Sequence, residues 1–153
     1  MLFALRLFAY RLVKPFQWPT SRVVPIPRPT TFVGPGAALK LCDAIAQFGF
    51  KRVLIVTDAI LVKLGLVEPL RKALAERGVE VSIHDGITPD PTHDVLQRGY
   101  EAATAHRTEA ILAVGGGSVI DAAKVIGAMV VSGKSPAQLV GMLKVGKPML
   151  PLF

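Results

Sequence analysis

Residues 110–131 constrain this chain more than any other stretch. Ala110-Ile111-Leu112-Ala113-Val114 is an uncharged apolar run, and Val119 opens a helical pattern that continues to about Val131. Between them stands Gly115-Gly116-Gly117-Ser118. An apolar run this short reads as a strand buried on both faces, the kind found in parallel sheets. The glycines let backbone N–H groups come close to a ligand, and Ser118 sits where a helix N-cap would be. A strand, a glycine turn and a helix N-terminus in that order suit an anion, most often a phosphate or pyrophosphate.

The same alternation runs through the rest of the chain. Thr31-Phe32-Val33 reads as a short strand, residues 37–48 as an amphipathic helix ended near Gly49, and residues 52–57 as a buried strand. Residues 67–76 read as a helix ended by Gly78, residues 79–84 as a strand, and residues 92–106 as a helix that starts after Pro91. A short helix is expected over 136–142, and Met149-Leu150-Pro151-Leu152-Phe153 begins a further strand. Strand–helix units of this length imply an α/β fold, a Rossmann-like parallel sheet with helices on both faces. Ligands of such sheets bind at the carboxyl ends of the strands. That edge carries Thr57 and Asp58, the 85–92 loop and the triple glycine.

The chain has 153 residues, enough for one domain with a real core. Its net charge of +7 comes mostly from Arg6, Arg11, Lys14, Arg22 and Arg28, which precede residue 30 with no acid among them. The basicity is therefore local and does not point to nucleic acid. Residues 1–14 can be drawn as a basic amphipathic helix, either a membrane-surface contact or an arm packed on the protein or on a second subunit. Pro15, Pro19, Pro25, Pro27 and Pro29 mark a linker. The expected organisation is an arm and linker over 1–29 and a dinucleotide-binding domain over 30–153. No uncharged apolar run reaches the roughly 18–20 residues that span a bilayer. A signal peptide is not expected, because charges interrupt every apolar segment near the start. The single cysteine, Cys42, excludes an internal disulfide, reads as a core thiol and fits a reducing cytoplasm.

Asp58 ends an apolar strand pattern. An acid there accepts hydrogen bonds from the ribose hydroxyls of an adenosine and repels a 2′-phosphate, or it caps a turn. The usual dinucleotide fingerprint places the glycine turn first and the acid about 20 residues later; here the acid comes first. Gly34-Pro35-Gly36 reads as a tight turn. Pro89-Asp90-Pro91-Thr92 is a rigid turn that starts a helix or walls a nucleotide site. Asp121, three residues after Ser118, forms a capping-box variant with it or touches a ligand. No GxxxxGK[ST] loop occurs, and Lys124 lies too far into its helix to cradle phosphate. His84, His93 and His106 form no set with metal-ligand spacing, and no Ser-His-Asp arrangement is present.

Taken together, Gly115-Gly116-Gly117-Ser118-Val119-Ile120-Asp121-Ala122-Ala123-Lys124, Phe32-Val33-Gly34-Pro35-Gly36-Ala37, Leu54-Ile55-Val56-Thr57-Asp58 and Asp85-Gly86-Ile87-Thr88-Pro89-Asp90-Pro91-Thr92 resemble the motifs of the iron-containing (group III) alcohol dehydrogenases. They occur in the family's order, and the resemblance runs from about Pro29 to Phe153. It implies the NAD(P)-binding α/β half of a two-domain enzyme. The other half, all-helical, holds iron or zinc through an aspartate and three histidines that follow later.

Carried over by motif, Asp58 meets the adenosine ribose, and Gly116, Gly117 and Ser118 meet the pyrophosphate. Asp90 stands where the family often has asparagine near the nucleotide. Asp58 favours NAD over NADP, since NADP-preferring relatives often have glycine there. The implied reaction is hydride transfer between a small alcohol or aldehyde and the nicotinamide. Catalytic and metal residues are expected outside this sequence, which stops inside a strand, so the chain alone is expected to be inactive. Homodimerisation through the first strand is also implied. Two other readings stay open. One is a fragment of a glycerol dehydrogenase or dehydroquinate-synthase-like enzyme; the other is a non-catalytic nucleotide-binding or interaction module.

Overall fold

The computed structural model describes residues 30–141 and 144–153. The expected amphipathic arm and proline-rich linker lie outside these residues. Within them, Phe32–Phe153 forms one compact unit. Its elements are α1 (Ala37–Gln47), β1 (Arg52–Val56), α2 (Ala59–Lys63), α3 (Glu68–Ala75), β2 (Glu80–His84), α4 (His93–Ala105), β3 (Ala110–Ala113) and α5 (Gly117–Ser132), followed by a 3-10 turn, Pro136–Leu139.

The sheet is parallel with strand order β2-β1-β3. Leu54 of β1 pairs with Ser82 of β2 and with Ile111 of β3. Beyond β3 the last residues add a parallel bridge, Ile111 to Leu152. Three backbone bonds secure it, Ile111 N–H to Pro151 O at 2.9 Å, Phe153 N–H to Ile111 O at 2.9 Å and Ala113 N–H to Phe153 O at 2.8 Å.

The central strand explains why the fold has two layers of helix. Successive side chains of a strand point to opposite faces. Val53 and Ile55 join one core with Cys42, Ile45, Leu70 and Leu74 from α1 and α3. Leu54 and Val56 join the other with Leu96 and Ala103 of α4 and Ala122, Ile126 and Met129 of α5. The four β1 side chains from Val53 to Val56 are fully buried. Each such side chain contributes about 1.5–3 kcal/mol of burial free energy relative to exposure, so no charge fits at these four positions; the one charged residue of β1, Arg52, stands at its amino end. Cys42 is a buried free thiol, and burial pushes its pKa up.

Several elements differ from the pattern-based expectation. Thr31-Phe32-Val33 is not a strand; Val33 is 88% exposed and no strand partners it. Apolar character alone does not make a strand without a partner strand to pair with. Residues 136–139 form a 3-10 turn rather than a longer helix. The short helix α2 follows β1 directly, where the sequence shows no helical period. It forms because Asp58 caps it: Oδ1 accepts from Ile60 N–H at 2.9 Å and Leu61 N–H at 3.0 Å. By contrast, α4 follows the expected pattern: it starts after Pro91, with Thr92 as its N-cap.

The capping expectation at α5 is corrected too. The helix starts at Gly117, the N-cap is Gly116, and no side chain caps it. Ser118 is therefore inside the first turn, and the Ser118–Asp121 capping box does not form. Asp121 Oδ1 instead accepts from Lys124 Nζ at 2.9 Å on the exposed helix surface. The glycines adopt the N-cap conformation without strain, so the backbone reaches helical geometry before the serine does.

Candidate functional site

The carboxyl ends of β1, β2 and β3 open into a cleft of about 370 Å³. Three loops wall it. Asp58, Ala59 and Ile60 come from the end of β1, Ile87, Thr88 and Pro89 follow β2, and Gly116, Gly117, Ser118 and Val119 follow β3. Residues separated by almost sixty positions thus face one another because β1 and β3 are neighbours in the sheet.

The glycine wall is shaped to leave space. A Cβ built on Gly116 or Gly117 meets nothing within 4 Å, and Gly116 has φ −85, which any residue adopts. The protein's own packing therefore does not require glycine at these two positions; their missing side chains widen the cleft. Among the described residues, the backbone N–H groups of Gly116, Gly117 and Ser118 have no hydrogen-bond partner, as expected for the start of a helix. These donors and the positive end of α5 make this wall attractive to an anion.

The facing wall is acidic. Asp58 uses Oδ1 to cap α2, while Oδ2 accepts no hydrogen bond from the described residues. The backbone of Asp58 also bridges to Gly86, which fixes the β1 loop against the β2 loop. Ile60, 69% exposed, adds an apolar surface beside the carboxylate.

Of the residues the sequence singles out, Asp58, Gly116, Gly117 and Ser118 share this cleft; Asp90 and Asp121 do not line it. Asp90 is exposed, with φ 52. That left-handed conformation is tolerated by a short polar side chain, so Asp90 shapes the turn that presents Thr88 and Pro89. Ile87 and Thr88 line the cleft as part of the 85–92 loop that the sequence places at this edge, whereas Ile60 lines it without standing out, because an apolar residue in a loop has no pattern to mark it. Thr57, which the sequence places at this edge beside Asp58, is fully buried between the three loops. It is the polar residue that directly extends the apolar run from Val53 to Val56.

The described residues contain no group of three or more His, Cys, Asp and Glu that could hold a metal ion. None of their helices is long and apolar enough to cross a membrane.

A two-layered parallel α/β sheet with an anion-attracting glycine turn and an acid at its carboxyl edge defines a nucleotide-binding class of domain. Comparison with known proteins narrows the class. The family model for iron-containing alcohol dehydrogenase matches residues 28–153. Alcohol dehydrogenase 4 of Schizosaccharomyces pombe is 34% identical over 120 residues, 78% of this chain and 28% of the relative. The NAD-dependent methanol dehydrogenase of Bacillus methanolicus is 34% identical over 124 residues, 81% of this chain and 32% of the relative. Among solved structures, the NADH-dependent butanol dehydrogenase A of Thermotoga maritima superposes with a TM-score of 0.74 at 28% identity, covering 85% of this chain and 33% of that one. The chain belongs to the iron-containing alcohol dehydrogenase family. It spans about a third of the length of these relatives.

Proposed function

We propose that this chain is the NAD-binding half of a metal-dependent alcohol dehydrogenase, which transfers hydride between a small alcohol or aldehyde and nicotinamide. The observation that carries this reading is the cleft itself, where an acid and a side-chain-free anion wall face each other across adjacent strands. On this reading Asp58 Oδ2 accepts from the adenosine ribose and disfavours a 2′-phosphate. The N–H groups of Gly116, Gly117 and Ser118 bind the pyrophosphate. Ile60 offers apolar contact to the adenosine, and Thr88 and Pro89 close the third side.

NAD, when bound, supplies the hydride acceptor; the residues of this chain hold and orient it. Asp90 supports the loop, and Asp121 pairs with Lys124 on the helix surface; neither is assigned a direct cofactor contact. No step is assigned to a metal on the described residues, whose acids and histidines do not converge. The NAD-dependent relative and the NADH-dependent structural neighbour support the choice of cofactor. A buried free cysteine is in keeping with a reducing cytoplasm.

The test is a titration of the 15N-labelled chain with NAD and, separately, NADP. Weak NAD binding is expected, with amide shifts at Asp58, Thr88 and residues 116–118, and weaker binding of NADP. Asp58→Ser is the informative variant. Serine caps a helix about as well as aspartate, so stability should hold, while loss of the carboxylate should weaken NAD by roughly tenfold. Shifts clustered elsewhere, or unchanged affinity in Asp58→Ser, would refute the assignment.

A further inference from the structure

Thr57 occupies a singular place in this fold. It is a fully buried polar residue at the point where all three cleft loops leave the sheet. Its hydroxyl donates to the carbonyl of Val114 at 2.8 Å, one residue before the triple glycine. Its N–H donates to the carbonyl of His84 at 2.9 Å, and its carbonyl accepts from Ile87 N–H at 3.3 Å. Thr57 thus bonds into the stem of the second and third walls while its own chain continues into Asp58, the first.

The rest of the β1–β3 seam shows why this hydroxyl matters. Past the last paired residues, one backbone bond continues the ladder, Val114 N–H to Val56 O at 2.9 Å. Beyond that point β3 turns into Gly115, whose φ of +155 sends the chain away from the sheet. The Val114 carbonyl then has the Thr57 hydroxyl as its side-chain donor. At the opposite, amino end of the same two strands the tie is of another kind, a half-exposed ion pair between Arg52 and Glu109 with Lys51 N–H donating to Glu109 at 2.7 Å. A half-exposed ion pair is partly screened by solvent; a hydroxyl–carbonyl bond from a fully buried threonine is directional and costly to leave unmade.

We propose that Thr57 is a positioning residue for the nucleotide cleft. Its hydroxyl sets the distance between the glycine wall and the Asp58 wall by holding the Val114 carbonyl at the mouth of the turn. It touches no ligand. A β-branched residue suits the position because its χ1 is stiff and its methyl packs in the core, so the hydroxyl is aimed without a search over rotamers. Valine would keep the shape and lose only the bond.

This inference rests on the nucleotide-site reading for its functional consequence, but its structural core is independent of any ligand, so two measurements separate the two. The first is amide hydrogen exchange, in the ligand-free chain, at the hydrogen-bonded amides that flank the turn, Val114, Val119 and Ile120. Thr57→Val should raise exchange at these amides by roughly tenfold while leaving Val53, Leu54 and Ile55 protected. Thr57→Ser should restore protection. The second is NAD affinity by titration. Thr57→Val should weaken it by roughly tenfold, and Thr57→Ser should recover most of the loss.

If the parent chain shows no NAD binding at all, the nucleotide reading fails and the exchange result still decides whether Thr57 locks the turn. If the parent binds NAD and Thr57→Val binds equally well, or if exchange at Val114, Val119 and Ile120 is unchanged, the positioning role is overturned. Thr57→Val exchange that rises uniformly, core strands included, also overturns it, since that is general destabilisation.

Discussion

The three consecutive glycines differ in what they are for. Gly115 is held by packing: its φ is +155, and a Cβ there would lie 2.7 Å from Val119 Cγ2 and 2.9 Å from Val119 Cβ. Val119 is itself buried against the sheet and cannot retreat. Gly116 and Gly117 meet no such obstacle. Substitution should therefore separate fold from binding. Gly115→Ala is expected to lower stability in urea denaturation by about 1–3 kcal/mol. Gly116→Ser should keep stability within about 1 kcal/mol, because serine is a good N-cap, and should weaken NAD because its side chain enters the cleft. Equal stability losses at both positions would contradict this division.

Among the helices, α4 and α5 pack most intimately, and the reason is a small residue facing a large one. Gly99 of α4 lies against Ile126 of α5: a Cβ at 99 would stand 2.4 Å from Ile126 Cδ1 and 3.0 Å from its Cγ1. Ile126 is fully buried, so the side chain has little room to move. Helix propensity alone favours Gly99→Ala by up to about 1 kcal/mol, yet overpacking should win and destabilise by about 1–3 kcal/mol. Ile126→Val removes the Cδ1 atom and should be less costly in the Gly99→Ala background than in the parent. Thermal unfolding of the four proteins in this cycle measures the coupling; strict additivity would show that the two helices do not meet as described.

At the scale of the whole molecule, one histidine links stability to pH. His84 ends β2, its ring lies beside Gly86 and Gly99, and its Nε2 is buried without a partner among the described residues. Burial holds the imidazole below its ordinary pKa; Asp85 opposes this and Arg98 adds to it. The fold thus prefers the neutral ring. Above the ordinary histidine value of about 6.5 both folded and unfolded chains carry it neutral, and its contribution is complete. As pH falls below that value the unfolded chain binds the proton first, so stability declines toward the lower folded pKa. Glu68 and Glu109, whose pKa values are lowered chiefly by bonds from Arg71 and the Lys51 backbone, act in a separate, more acidic window. The melting temperature is expected to fall between pH 7 and 5, and His84→Leu should flatten that slope. An unchanged slope in His84→Leu would assign the effect to other groups.

Much of this protein was legible in one dimension. The run Val53-Leu54-Ile55-Val56 has no polar side chain to place in water, so it had to lie between two apolar layers. Glycines at 49, 78 and 115 punctuate the strands and helices, and the order of elements implied a parallel sheet. Those are local properties, set by side-chain hydropathy and by backbone freedom within a few residues. Adjacency required the folded chain. Strand order β2-β1-β3 brings Asp58 to the glycine turn, and only a three-dimensional neighbour tells Thr57 that its hydroxyl has the Val114 carbonyl to hold. The same holds for what did not form. Thr31-Phe32-Val33 has strand-like residues but pairs with no described strand, and Ser118 has capping chemistry but a helix that had already begun at Gly117. Hydrophobic period and turn residues act through short-range forces that the sequence carries on its face. Pairing, register and the convergence of a site depend on contacts between distant residues, and these exist only once the chain has folded.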